Sequence, residues 1–196
     1  MYNDKFAHLD IVLASASPRR QELLKLMGVP FRIEVKPIEE DYPSNLQDVE
    51  ITDFLAKSKA DAFGQLTENQ MVICSDTIVW HRNQALGKPK NVEEAKDLLK
   101  LISGEMHYVY TSICIKFRGK THIINDLTKV FFSKLNASEI DYYVDTFRPL
   151  DKAGAYGIQE WIGVIAVERI EGSYHNVMGL PTQKLHSFFT KLATEL

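Results

Sequence analysis

A chain of 196 residues and 22.4 kDa is long enough for one substantial domain, or for two lobes sharing a core, and residues 1–196 are read as a single folding unit. Hydrophobic residues at 45%, charged residues at 25% and only 10 Gly and 7 Pro exclude a disordered or fibrous chain. A net charge of −3 argues against nucleic acid as a partner, because duplex binding usually needs a basic face. In chain order, residues 11–15 (IVLAS) form an apolar run ending in small polar residues. Ser17, Pro18, Leu23, Leu24 and Met27 then predict an N-capped helix closed by Gly28. Residues 31–35 alternate as a strand, and residues 51–63 recur apolar at helical spacing through Phe54, Leu55 and Ala62. Residues 71–80 (MVICSDTIVW) read as a buried strand with one acid in its middle, followed by a turn over 81–85. Asn91 and Glu94 stand at the spacing of a capping-box variant for a helix over 91–102, which Gly104 closes.

Two alternating runs, 108–117 and 122–133, are joined by Arg118-Gly119-Lys120 and predict a hairpin. Asn136 and Glu139 repeat the cap spacing ahead of a helix over 138–147 that ends before Pro149. Residues 151–159 (DKAGAYGIQ) are a glycine-rich loop, 161–170 a further strand, and Pro181 opens a C-terminal helix ending near Leu196. Helices mixed with strands, at least one pair antiparallel, imply an α/β fold with a mixed sheet, not a doubly wound Rossmann sheet. No apolar run approaches the ~20 residues needed to span a bilayer, so no membrane partner is expected. The N-terminal decapeptide lacks a secretory apolar segment and carries Asp4 and Asp10. Cys74 and Cys114 lie inside strand-like runs, which points to core thiols and a reducing cytoplasm.

Three constellations could carry chemistry. The first, residues 14–20 (ASASPRR), puts Ser15, Ser17, Arg19 and Arg20 where a strand feeds a helix N-terminus, a place that favours anions. Arginines repel the positive helix end, a misfit that raises the functional reading, but local spacing alone leaves an ordinary Ser17 cap with solvated arginines as an equal alternative. The second is Asp76, whose carboxylate either turns outward into solvent or serves as metal ligand or general base, because burial unpaired costs several kcal/mol. Glu39, Glu40 and Asp41 form an acidic run. As a solvated face it would need no ligand, whereas one of its acids near Asp76 would suit Mg²⁺, which takes one or two carboxylates plus phosphates and waters. Lys57, Lys59 and Lys88 are weak signals taken singly. The third is the 151–159 loop, where small residues allow close approach of backbone to a ligand. It matches neither the dinucleotide nor the Walker pattern. The six histidines show no zinc spacing, and most are expected at the surface.

Six ordered blocks together resemble the Maf family of nucleoside triphosphate pyrophosphatases: LASASPRRQELL from Leu13, SDTIVW from Ser75, LGKPKNVEEA from Leu86, LISGEMH from Leu101, PLDKAGAYGIQ from Pro149 and GSYHNVMGLP from Gly172. The DKAGAYGIQ form is similar to the branch acting on dTTP and UTP, not the branch acting on 7-methyl-GTP. Two departures are minor: Ser75 stands where alanine commonly precedes the aspartate, and Ser58 where glutamate commonly precedes the lysine. The resemblance implies a two-lobed α/β fold like that of the ITP pyrophosphatase superfamily, with a central cleft. It implies a catalytic acid at Asp76, phosphate contacts at Ser17, Arg19, Arg20, Lys59 and Lys88, and a second acid at Glu40. It puts base selection on Arg19, Thr77 and Gln159, and implies a homodimer. The expected reaction is hydrolysis of a nucleoside triphosphate to monophosphate and pyrophosphate. Asp76 is the general base, and Asp76 and Glu40 are ligands of Mg²⁺, with Mn²⁺ or Co²⁺ as substitutes. A carboxylate is a weak base at neutral pH, so a metal must share the activation. The rival is a non-enzymatic nucleotide-binding regulator linked to septum formation, which has no need of the two acids.

Overall fold

A computed structural model describes residues 2–195. The elements are α1 (Tyr2–Phe6), β1 (Asp10–Leu13), α2 (Pro18–Leu26), β2 (Arg32–Ile33), α3 (Val49–Asp61), β3 (Gln70–His81), β4 (Gln84–Leu86), α4 (Val92–Ile102) and β5 (Met106–Phe117). They continue with β6 (Lys120–Phe132), α5 (Ala137–Phe147), a 3₁₀ turn (Ala153–Ala155), α6 (Trp161–Ala166), β7 (Val167–Glu171), α7 (Tyr174–Val177) and α8 (Thr182–Glu195). The strands form one mixed seven-stranded sheet in the order β2-β1-β3-β5-β6-β7, with β4 paired to β3. β1 runs parallel to β2 and β3, whereas β3–β4 and β6–β7 are antiparallel. The α/β class and the mixed sheet read from the sequence both hold.

Local chemistry sets most boundaries. Asn91 Oδ1 accepts from Glu94 N (2.9 Å) at the start of α4, and Asn136 and Glu139 form a reciprocal capping box on α5. Arg118 and Gly119 both have positive φ (47° and 71°), the mark of a two-residue turn whose twist matches a hairpin. Arg82 and Asn83 (φ 48° and 61°) repeat the device between β3 and β4, so part of the expected turn over 81–85 is a short strand. The expected strand over 161–170 is corrected. Residues 161–166 are helical, because Ile162 and Ala166, four apart, are buried on one face while Val164 is 79% exposed, and strand geometry begins only at Val167. A short apolar run cannot reveal its period in six residues. The strand expected over 31–35 shrinks to Arg32–Ile33.

Contacts divide the chain into two compact units, each assembled from separated segments, and the boundary in β3 falls between Asp76 and Thr77. The first comprises the described residues of Met1–Asp76, Thr111–Asp126 and Gly179–Leu196. One of its core clusters joins Val12, Ala14, Val72, Cys74 and Cys114 to Ala56, Ala60 and Phe63 at α3 and its end. Ala56 and Ala60 are fully buried, so the helix lies close on the strands with no large side chain between. The second comprises Thr77–Tyr110 and Leu127–Met178. Its core packs Val79, Val109, Val130 and Phe132 against Ala95 and Leu99 of α4, Tyr143 and Val144 of α5, and Ile162 of α6. Among the described residues no helix is long and apolar enough to cross a membrane.

Candidate active site

In the first unit, Ser17 opens α2 from extended geometry but makes no side-chain cap hydrogen bond, which corrects the reading of Ser17 as an ordinary cap. Ser15 does the local work: its Oγ accepts from Ser17 N (3.2 Å) and from Arg20 Nη1 (3.4 Å). Arg20 also donates through Nε to Gly179 O (2.9 Å) and through Nη1 to Ser75 O (2.9 Å), while Ser75 Oγ donates to Gly179 O (3.0 Å). The residue that departs from the family pattern thus adds a second donor to the carbonyl already held by Arg20. Burial pulls the Arg20 guanidinium below its ordinary value, and the negative charges of Asp76 and Glu40 oppose that shift. Arg20 fixes the backbone next to Asp76, whereas Arg19 is half-buried on the following helical surface.

Asp76 is 8% exposed in β3, and strand alternation does not turn it out to solvent. Lys59, in the last turn of α3 beside the buried Ala60, places Nζ 2.5 Å from Asp76 Oδ1 and 2.8 Å from Glu40 Oε1. Glu40 is thus the member of the acidic run that reaches Asp76's partner. The side chains of Lys59 and Asp76 are 15% and 11% exposed and that of Glu40 46%, so the inner pair is the desolvated one. Such a pair adds little net stability, but removing one member would strand a buried charge. Polar anchors at the other end of α3 fix this geometry. Thr52 Oγ1 lies 2.7 Å from Ser112 Oγ, and Ser112 Oγ donates to Asp53 Oδ1 at 2.6 Å. Lys57, by contrast, is an exposed partner of Asp61.

Asp76 and Glu40 are the residues here that could hold a hard divalent cation. Two carboxylates converge on one cationic nitrogen, and their oxygens suit Mg²⁺, which is content with few protein ligands when phosphate oxygens and waters complete its shell. Among the described residues no group of three or more His, Cys, Asp and Glu side chains that could hold a metal ion comes together.

In the second unit, Thr77 is half-buried, Lys88 is exposed after β4, and Gln159 is exposed at the end of the glycine-rich loop. The two loops are tied together, because Gly154 N donates to Gly87 O at 3.1 Å. Gly154 has φ +66°, and a Cβ there would come within 2.8 Å of Val79 Cγ2, so only glycine fits. Sequence reasoning missed the side chains that brace this loop: Lys152, Glu160 and the fully buried Tyr143, whose hydroxyl accepts from Gly157 N at 3.0 Å. As expected of most histidines, His8, His175 and His186 are exposed and His122 is half-buried, whereas His81 and His107 are buried. His107 Nε2 meets Tyr156 OH at 2.9 Å, and burial pushes its pKa down to about 3. Cys74 and Cys114 are buried free thiols, pushed up to about 12 and about 11 by desolvation, which makes them inert packing groups.

A mixed α/β protein with a lysine shared by two carboxylates, next to an arginine-bearing strand-to-helix turn, has the parts of an enzyme acting on phosphate anhydrides. The chain belongs to the Maf family: a profile described as "Maf-like protein" matches residues 10–192. Its relatives include a protein from Flavobacterium psychrophilum named dTTP/UTP pyrophosphatase, 51% identical over 189 residues, which cover 96% of this chain and 97% of that protein. A dTTP/UTP pyrophosphatase from Flavobacterium johnsoniae is 51% identical over 193 residues, covering 98% and 100%. Among solved structures, a HAM1 protein from Coxiella burnetii superposes with a TM-score of 0.47 at 15% identity, over 93% of this chain and 99% of that one.

Proposed function

We propose that this chain hydrolyses dTTP and UTP to the corresponding monophosphate and pyrophosphate. The observation that carries the reading is the convergence of Asp76 and Glu40 on Lys59 Nζ beside the Arg20-held backbone. A non-enzymatic regulator would need cations for the phosphates but not two acids arranged around one of them. The curated relatives named above, matched over nearly their whole length, support the substrate class.

Hydrolysis of a polyphosphate needs charge neutralisation and in-line positioning more than covalent chemistry. Ser17 and Arg19 present a hydroxyl and a guanidinium at the start of α2, where free backbone N–H groups favour phosphate oxygens. Lys59 holds Asp76 in place and adds positive charge at the same point. Asp76 accepts the proton of the water that attacks the α phosphorus, and Lys88 contacts the polyphosphate. Asp76 and Glu40 would hold Mg²⁺, which when bound supplies charge neutralisation and a lowered pKa for the attacking water. A uracil or thymine edge offers an N3–H donor flanked by carbonyl acceptors, and the Gln159 amide can pair with both kinds of group. Thr77 and Arg19 complete base selection.

The test is pyrophosphate release from a panel of dTTP, UTP, CTP, ATP and GTP with Mg²⁺ or Mn²⁺. The expected order of kcat/KM is dTTP and UTP first, CTP next and purines last, with activity abolished by excess EDTA. Orthophosphate as sole product would refute the cleavage site, and silence across the panel would favour the regulator.

A further inference from the structure

The residue assigned to base reading, Gln159, is itself exposed, yet both of its flanks are fixed by one buried hydroxyl. Tyr143 of α5 has no solvent exposure, and its ring stacks on Phe147 with centroids 5.2 Å apart. Its oxygen accepts the Gly157 N–H at 3.0 Å and donates to Glu160 Oε2. Glu160 Oε1 in turn holds Lys152 Nζ at 3.1 Å, and Lys152, only 8% exposed, also reaches Asp151 Oδ1 at 2.7 Å. Glu160 N closes the circuit on Gly157 O at 2.9 Å. The bonds run from residue 151 through 157 to 160, and Gln159 stands between the last two.

Gly157 shows how tightly this is built. A Cβ there would stand 2.8 Å from Glu160 Cδ and 3.1 Å from Gln159 Nε2, so the carboxylate and the amide both lie over the bare α carbon. Hydrogen bonds among buried groups are strong because water does not compete, and an unpaired member is costly. An exposed amide can distinguish bases only if its backbone is held before the ligand arrives, since rotational freedom there would be charged against binding. We propose that Tyr143 is a positioning residue for base selection: its hydroxyl, bridging Gly157 and Glu160, presents the Gln159 amide in one orientation. This rests on the reading of Gln159 given above. Tyr143 itself contacts no substrate in this account.

The experiment measures kcat and KM for UTP and CTP, together with melting temperature, in the wild type and in Gln159→Ala, Tyr143→Phe and Glu160→Gln. Tyr143→Phe keeps the ring and removes only the bridging hydroxyl. It is expected to fold and to lower the UTP-over-CTP ratio of kcat/KM about tenfold, the size of effect of one lost buried hydrogen bond, carried by KM for UTP. Glu160→Gln keeps an acceptor for Tyr143 but loses the charge that holds Lys152, and should lower the ratio in the same direction by less. A Gln159→Ala ratio that falls while folded Tyr143→Phe retains the wild-type ratio, or loses activity equally on both nucleotides, overturns the role of Tyr143 alone. If Tyr143→Phe fails to fold, an unchanged ratio in Glu160→Gln overturns it. An unchanged ratio in Gln159→Ala overturns the base-reading assignment, and this inference with it.

Discussion

The two units are held together by different chemistry around their candidate residues. In the first, charged side chains sit on regular elements: Asp76 on β3, Lys59 on α3 and Arg20 on α2, joined by ion pairs and by bonds to backbone carbonyls. In the second, the candidate residues Lys88 and Gln159 stand on loops, and rigidity comes from glycines, a tyrosine hydroxyl and the two ion pairs of Lys152. The difference suits the roles proposed above for Asp76 and Gln159. Opposing charges need fixed distances in a desolvated setting, which a sheet and a closely packed helix provide, whereas recognition of a base edge needs amide groups that loops can present.

That contrast can be broken most forcefully at Lys59. Lys59→Met would remove the ammonium that meets the nearly buried Asp76 carboxylate and cost about 3 kcal/mol of stability at neutral pH. Because the two acids would then lose the ammonium they share, added Mg²⁺ should raise the variant's melting temperature more than the wild type's, by mass action. Equal responses in calorimetry would remove Asp76 and Glu40 as a metal pair. The matching disturbance in the second unit is Gly154→Ala, which forces a side chain into positive φ and against Val79. A loss of about 1–3 kcal/mol in denaturant unfolding is expected, and an unchanged midpoint would show that the loop is not held as described.

A finer effect concerns acid. His107 is neutral in the folded chain, with its pKa pushed from 6.5 down to about 3, so its contribution to stability is complete above about pH 6.5 and is lost as pH falls toward 3. His107→Gln can still bond Tyr156 and cannot titrate. Melting curves should show the wild type losing stability on acidification more steeply than this variant, and superimposable acid limbs would assign the slope to other groups.

The sequence makes visible those features whose cause is local. The caps of α4 and α5, the positive-φ Arg118-Gly119 turn and the Pro18 start of α2 are each legible within four residues, and the structure keeps them. α6 was not legible, because a six-residue apolar run looks the same buried in a strand or on a helix. In the candidate site, motif and resemblance single out Asp76, Lys59 and Glu40. That one ammonium is shared by both acids is a tertiary fact that spacing does not encode. Tyr143 and Glu160 lay hidden for the same reason, lying 17 residues apart with unremarkable neighbours.

The most direct test of the division of labour is a matrix of kcat/KM for five nucleoside triphosphates against wild type, Asp76→Asn and Gln159→Ala. Asp76→Asn should fold and lower every value by on the order of 10²-fold or more, the usual cost of a lost general base, while leaving the order of nucleotides intact. Gln159→Ala should flatten the order, since each unpaired group at the base edge is worth about 1–3 kcal/mol of discrimination. A reordering of substrates by Asp76→Asn, or a uniform loss across the panel in Gln159→Ala, would contradict the assignment of chemistry to Asp76 and base choice to Gln159.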